Sequence, residues 1–443
     1  MNEHYLHFLW KNKRLPLHQL QTIDGEKMEI LHVGFYNPDS GPDFFNGQIR
    51  IDQVTHSGNI EMHVRSSDWN LHRHQHDPAY FNVILHVVYE HDQLIFIEGI
   101  PIPTVELKAL IDWKHYDWFN RYYKKNTMII CETFLKQLPQ AVIWNQVERA
   151  VFQRMARKSD ELNTLFRERK MSFKEVLFHA ISKAFGMKVN QLPFQELATG
   201  IPVEKFIRSS RKQKLAIVFG VGGFLEKSAP VIYHRELKEE WDFQKFKLKL
   251  YAGNQVGWKF KGCRPGGFPT QRLAQFAAFV HEMDWTSAIW YLPAKSLLRI
   301  LQESLLKPAD TYWTTHFDFG KEKKSCSGMS IATANTIITN SVVPFLWWLT
   351  DNLSDETYRN RAFELLESLP AEQNGKIALW KSMGIKPKNA LESQGLIELT
   401  NEFCLKKACL NCTIGNAVLK GEIKNNQPVL GKFRKRSALM DWS

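Results

Sequence analysis

Apolar and polar positions alternate through the first 108 residues, and that pattern predicts strands. A short opening helix over residues 2–10 precedes LQTIDG and KMEILHVGF, with Asp24-Gly25 as a hairpin turn between them. QIRID, NIEMHV, VILHVVYE, LIFIEG and IPTVEL follow as further strands, with a turn at Gly58-Asn59 and a short helix near residues 77–80. From about residue 110 to 400 the apolar spacing changes to three and four, which predicts helices over 141–166, 173–185, 193–199, 203–207, 272–280, 287–304, 332–349 and 356–368. Gly220, Gly222 and Gly223 read as a turn after an apolar run. No repeat of fixed period interrupts the series. The expected architecture is α+β in three parts: a mixed-sheet α/β core over 1–110, a helical region over 111–400, and a tail over 401–443 with clustered cysteines.

Composition narrows the setting. A chain of 443 residues is long for one hydrophobic core. Its formal charge of +12 favours polyanionic partners, nucleic acid first, and the basic end at Lys432, Arg434, Lys435 and Arg436 adds to that. No apolar run approaches the ~20 residues of a membrane span. The opening MNEHYLHFLWKNKR lacks the pattern of a secretion signal. Six cysteines in so long a chain do not make a disulfide scaffold, so a reducing cytoplasmic setting is the expectation. The composition leaves the oligomeric state open.

Eleven of the sixteen histidines fall within the first 108 residues, so chemistry is sought there first. Asp43 and Glu61 open two adjacent strand-like segments, and His63 follows Glu61 at the spacing of two that puts both on one strand face. Hydrolysis of a phosphodiester needs a divalent cation to neutralise charge and activate water. Two carboxylates from neighbouring strands can hold that cation as Mg²⁺ or Mn²⁺. The structural alternative makes Asp43 a turn cap and Glu61 a solvated strand residue. In SDWNLHRHQHD, His72, His74 and His76 share one side if the segment is extended, a donor set suited to zinc or manganese, with Asp68 and Asp77 flanking it. His86, inside VILHVV, reads as a hydrogen-bonded core residue.

Two further motifs carry chemistry. Cys404, Cys409 and Cys412 form C-x4-C-x2-C, which can grip Zn²⁺ if Cys131, Cys263 or Cys326 supplies a fourth thiolate. Alternatively they are three ordinary reduced cysteines. In GCRPGGFPTQRLAQFAAFV, a stiff turn leads into a helix capped by Thr270, beside which Arg264 and Arg272 can contact phosphate or simply lock the loop.

The Asp43, Glu61-x-His63 pattern resembles the PD-(D/E)xK nuclease superfamily, with His63 where that superfamily usually has lysine. Glu3, on the opening helix, lies where many of its members carry an auxiliary acidic residue. Four longer stretches, GPDF…GNIEMHVRSSDW…DPAYFNVILHVV, RPGGFPTQRLAQFA, SLPAEQN…SQGLIEL and FCLKKACLNCTIG, resemble a bacterial family called domain of unknown function 2851. The nuclease resemblance implies a metal-dependent hydrolase acting on DNA or RNA. It also implies an iron–sulfur cluster as the other occupant of the cysteine motif, although the terminal cysteine spacing of such nucleases differs from this one. A nucleic-acid binder with a degenerate core, or a structural and interaction protein, is the alternative.

Overall fold

Six consecutive buried residues, from Tyr5 to Trp10, open the fold. They belong to α1 (Glu3–Lys11), which Asn2 caps by accepting the His4 N–H at 2.9 Å. Burial this continuous means a helix enclosed on every side rather than packed along one stripe. The computed structural model describes residues 1–37, 40–123, 127–226, 231–253, 257–322 and 328–420. The expected basic end and Cys326 lie outside them.

The sheet comprises β1 (Met28–His32), β2 (Phe35–Tyr36), β3 (Phe44–Ile51), β4 (Val54–Arg65), β5 (Val83–Glu90) and β8 (Thr104–Glu106), in the order β1-β3-β4-β5-β8 with β2 beside β3. β6 (Phe96–Ile97) and β7 (Ile100–Pro101) form a separate hairpin. β1, β3 and β4 are antiparallel, whereas β4–β5 and β5–β8 are parallel, so the sheet is mixed. The parallel step from β4 to β5 forces a crossover, which carries α2 (Asp68–Leu71) and the histidine run. β3 buries only one face, but residues 58–63 of β4 are all buried, as a central strand covered on both faces requires.

The hairpin turn between β3 and β4 falls at residues 52–53, not at Gly58-Asn59. Gly58 is inside β4 and pairs with Gly47 because space is short there: a Cβ on Gly58 would lie 2.5 Å from the Ile84 side chain and 2.6 Å from the Asn82 carbonyl. Likewise LQTIDG makes only a single bridge, Gln21 to Lys27, instead of a full strand.

Contacts divide the chain into two compact units, Met1–Gln146 with Leu399–Ser443, and Val147–Glu398. The second is helical around one large core that runs from Val151 to Ala390. Phe173–Phe185 and Glu356–Ser368 match their expected spans. Two long expected helices are broken, each by proline. Ser287–Tyr291 is a 3-10 turn and the α-helix proper is Ala294–Leu306, with Pro293 at its N-cap. Ile331–Asn340 and Val342–Leu353 separate at Ser341, since Pro344 has no N–H to give to the carbonyl of residue 340. Gly220 is not in a turn but inside the helix Arg211–Val221, under the ring of Trp241. Thr270 does not cap its helix: Pro269–Glu282 starts from Phe268 without a side-chain cap, and the Thr270 hydroxyl donates to the Phe317 carbonyl.

Candidate metal centre

The register of the sheet brings the two acidic residues together. Phe44 pairs with Ile60, which leaves Asp43 beside Glu61 at the end of the ladder. The carboxylates interlock with the backbone: Asp43 N–H donates to Glu61 Oε2 at 3.0 Å, and Met62 N–H donates to Asp43 Oδ2 at 2.9 Å. The backbone bond that Asp43 accepts thus comes from the neighbouring strand and is not a turn cap, and Glu61 is buried, only 5% exposed, rather than solvated.

Imidazoles complete the cluster. His63 Nε2 lies 3.6 Å and His74 Nε2 3.4 Å from Glu61 Oε1, and His7 Nε2 lies 3.2 Å from Asp43 Oδ1. His63 Nε2 is 3.2 Å from His72 Nδ1. One donor atom each from His63, His72 and His74 lies within 4.8 Å of the others. His63 is buried, His74 half-buried and His72 exposed, so the group opens to solvent on the His72 side.

The histidine run is not extended. α2 ends at Leu71, and Arg73 takes a left-handed backbone (φ 63°) that leads into a 3-10 turn over His74–His76. This reversal turns His72 and His74 towards His63 and leaves His76 exposed outside the group. Asp68 accepts the Arg65 N–H and Asp77 accepts the Ala79 N–H, so both fasten the crossover. Trp69, fully buried, meets the rings of His63, His74 and His86 edge-on, and Tyr80 stacks on His74 at 3.8 Å.

Behind the cluster, His63 Nδ1 and His86 Nε2 are 2.9 Å apart. His86 is therefore a hydrogen-bonded core histidine whose partner is a site residue. If His63 Nδ1–H donates to His86, the His63 Nε2 lone pair points to the other donors, the arrangement in which ligating histidines are usually held.

Electrostatics follow from burial. Desolvation pushes His63 down to about 2 and His86 to about 3, and it also lowers His74, so these rings are neutral at physiological pH. Burial, then the nearby Asp43 charge, drives Glu61 well above the usual carboxylate range. Glu3 is raised for the same two reasons, burial first and Asp43 second, which places it at the margin of the cluster. Acidic groups beside the neutral rings of His63 and His74 offer several lone pairs.

Two residues of this cluster escape the strand-based reading. His7 follows Glu3 at a spacing of four on α1, the helical interval that puts both on one face, and EHYLH carries that signal. His86 is visible only through the β4–β5 register, where it pairs with Glu61.

A family model described as "Protein of unknown function (DUF2851)" matches residues 3–375. The chain belongs to the DUF2851 family. No curated protein and no solved structure matches it. In this DUF2851 protein the remaining expected residues are divided between the two units. Arg264 and Arg272 belong to the unit Val147–Glu398. Arg264 is exposed, and Arg272 is half-buried and lines a cavity of about 200 Å³, donating to Gln275 Oε1 at 2.8 Å. Burial pushes the Arg272 guanidinium down to about 10. Cys404, Cys409 and Cys412 face another cavity, within the first unit, and Cys263 is in the second. No helix among the described residues is long and apolar enough to cross a membrane.

Proposed function

We propose that this protein is a divalent-metal-dependent phosphodiesterase acting on nucleic acid, working in the cytoplasm, with Asp43, Glu61, His63, His72 and His74 as its metal site. The observation that carries the reading is the convergence of the Asp43 and Glu61 carboxylates with three imidazole nitrogens that lie within 4.8 Å of one another. The element order supports a PD-(D/E)xK-like core: helix with Glu3, hairpin strand, Asp43 strand, Glu61 strand, small helix, apolar strand.

Histidine in the lysine position changes the chemistry. A neutral His63 supplies no fixed positive charge for the phosphate, so its natural task is metal ligation. The nitrogen-rich donors then favour Mn²⁺ or Zn²⁺ over the all-oxygen preference of Mg²⁺. A bound ion would neutralise the carboxylates, lower the pKa of a coordinated water and polarise a phosphate oxygen. The opening beside His72 gives the route for that phosphate.

The test is cleavage of single- and double-stranded DNA and of RNA by the full chain, with Mn²⁺, Zn²⁺ or Mg²⁺ and with chelator. Cleavage should require the metal and fall to background in Asp43→Asn and Glu61→Gln, isosteric changes chosen because both carboxylates accept backbone N–H groups. Folded variants that cut like the parent would end the assignment. A second reading, nucleic-acid binding without cleavage, draws on the depth of the site, since His63 is only 2% exposed. Metal binding and salt-dependent nucleic-acid binding with no turnover would select it.

A further inference from the structure

Four of the five described cysteines meet at one place. Cys131 comes from the segment after the helix Trp113–Tyr123, while Cys404, Cys409 and Cys412 come from the C-terminal stretch of the same unit. Together with Phe403 and Gly415 they line a single cavity of about 20 Å³. None of the four is in a disulfide.

The loop that presents three of them is wound tightly. Cys404 ends a π-helical turn, Lys407 takes a left-handed backbone (φ 52°), and Cys409 begins a short 3-10 turn. Cys404 O accepts the Lys407 N–H at 3.1 Å and Cys409 O accepts the Cys412 N–H at 3.2 Å. Gly415 lets the chain close on itself: a Cβ there would lie 2.5 Å from the Cys409 carbonyl oxygen and 2.9 Å from its Cα. The Asn416 amide donates to the Leu410 carbonyl at 2.6 Å and to the Cys412 carbonyl at 3.0 Å. The Tyr122 hydroxyl donates to Cys409 Sγ at 4.0 Å.

Single buried cysteines behave as small apolar residues and need no explanation. Four around a common void differ from that, because weakly polar thiols leave the void unfilled, whereas thiolates round a metal ion fill it and gain strong bonds. Three thiolates from the C-terminal stretch leave a fourth ligand to be supplied, and Cys131 is the other described cysteine that lines this cavity. Cys263, half-exposed and in the other unit, is not at this cavity.

We propose that Cys131, Cys404, Cys409 and Cys412 form a four-thiolate metal centre that fastens the C-terminal stretch to the segment at Cys131. The occupant is a thiophilic centre, either one zinc ion or an iron–sulfur cluster. The centre is independent of the hydrolytic reading, since it uses none of the Asp43–Glu61 residues and its assay requires no substrate.

Full-length protein purified without oxygen is analysed for zinc, iron and acid-labile sulfide. Iron with sulfide and visible absorption supports a cluster. Zinc supports the single ion once its ligands are shown to be thiolates. For that, Co²⁺ is added to the metal-stripped chain, and intense sulfur-to-cobalt charge-transfer absorption is expected, which nitrogen and oxygen donors do not produce. Cys131→Ser should weaken thiolate-bound metal at least tenfold, and Cys263→Ser should leave it unchanged. If Cys131→Ser does not fold, X-ray absorption of the cobalt- or iron-loaded parent chain decides. A shell without a fourth protein thiolate would remove Cys131 from the centre. Parent protein that shows neither thiolate-to-metal absorption nor sulfide-bearing iron would overturn the proposal.

Discussion

His86 meets the candidate site at His63. Its ring is completely buried, and its Nε2 stands 2.9 Å from His63 Nδ1, where it can hold His63 in the tautomer and orientation a ligand needs. Substitution by leucine keeps an apolar side chain of similar bulk and removes the acceptor. We expect His86→Leu to weaken Mn²⁺ binding by about 10–100-fold, the usual effect of losing such an outer partner. Calorimetric titration of the folded variant measures this. Unchanged affinity would make His86 a packing residue only. The same reasoning separates five acidic and histidine positions read from the local sequence: Glu61 and His63 have one geometry to follow on a strand, whereas His72, His74 and His76 depend on a reversal at Arg73.

Among elements, the contact between the helix Arg211–Val221 and the helix Ile232–Leu248 leaves little room. A Cβ at Gly220 would stand 2.0 Å from the ring of Trp241, which is fully buried. In an ordinary helix alanine is favoured over glycine by ~1 kcal/mol. Overpacking a rigid indole costs ~1–3 kcal/mol, because neither the ring nor the helix can retreat without opening the core. The clash wins, so Gly220→Ala should be net destabilising. A lower urea midpoint at unchanged slope is the expected signature, and a higher midpoint would show that the two helices slide apart at small cost. Proline acts at this scale too. The apolar periodicity continues across Pro293 and Pro344, so the pattern predicts one helix where each proline makes a break.

For the molecule as a whole, the relevant quantity is its charge of +12. If nucleic acid is the partner, binding rests on phosphate contacts and the release of condensed counterions. With about four phosphates engaged, raising monovalent salt from about 50 to 200 mM should weaken duplex binding roughly a hundredfold. Fluorescence anisotropy at several salt concentrations measures the slope. Binding that ignores salt would place recognition in something other than backbone charge, and no binding at low salt would favour a structural or interaction role.

Local pattern alone determined that the chain is α+β, that its strands precede its helices, and that Asp43, Glu61 and His63 deserve attention as a group. Those conclusions rest on periods of two and of three to four residues, which neighbouring side chains impose by themselves. Tertiary structure decided the rest. The parallel β4–β5 register set His86 behind His63, α1 delivered His7 to Asp43, and the reversed backbone at Arg73 chose His72 and His74 over His76. It also selected Cys131 over Cys263 for the cysteine cavity. Such choices join residues far apart in the chain, and no local spacing encodes which of several distant side chains the packed core will bring near.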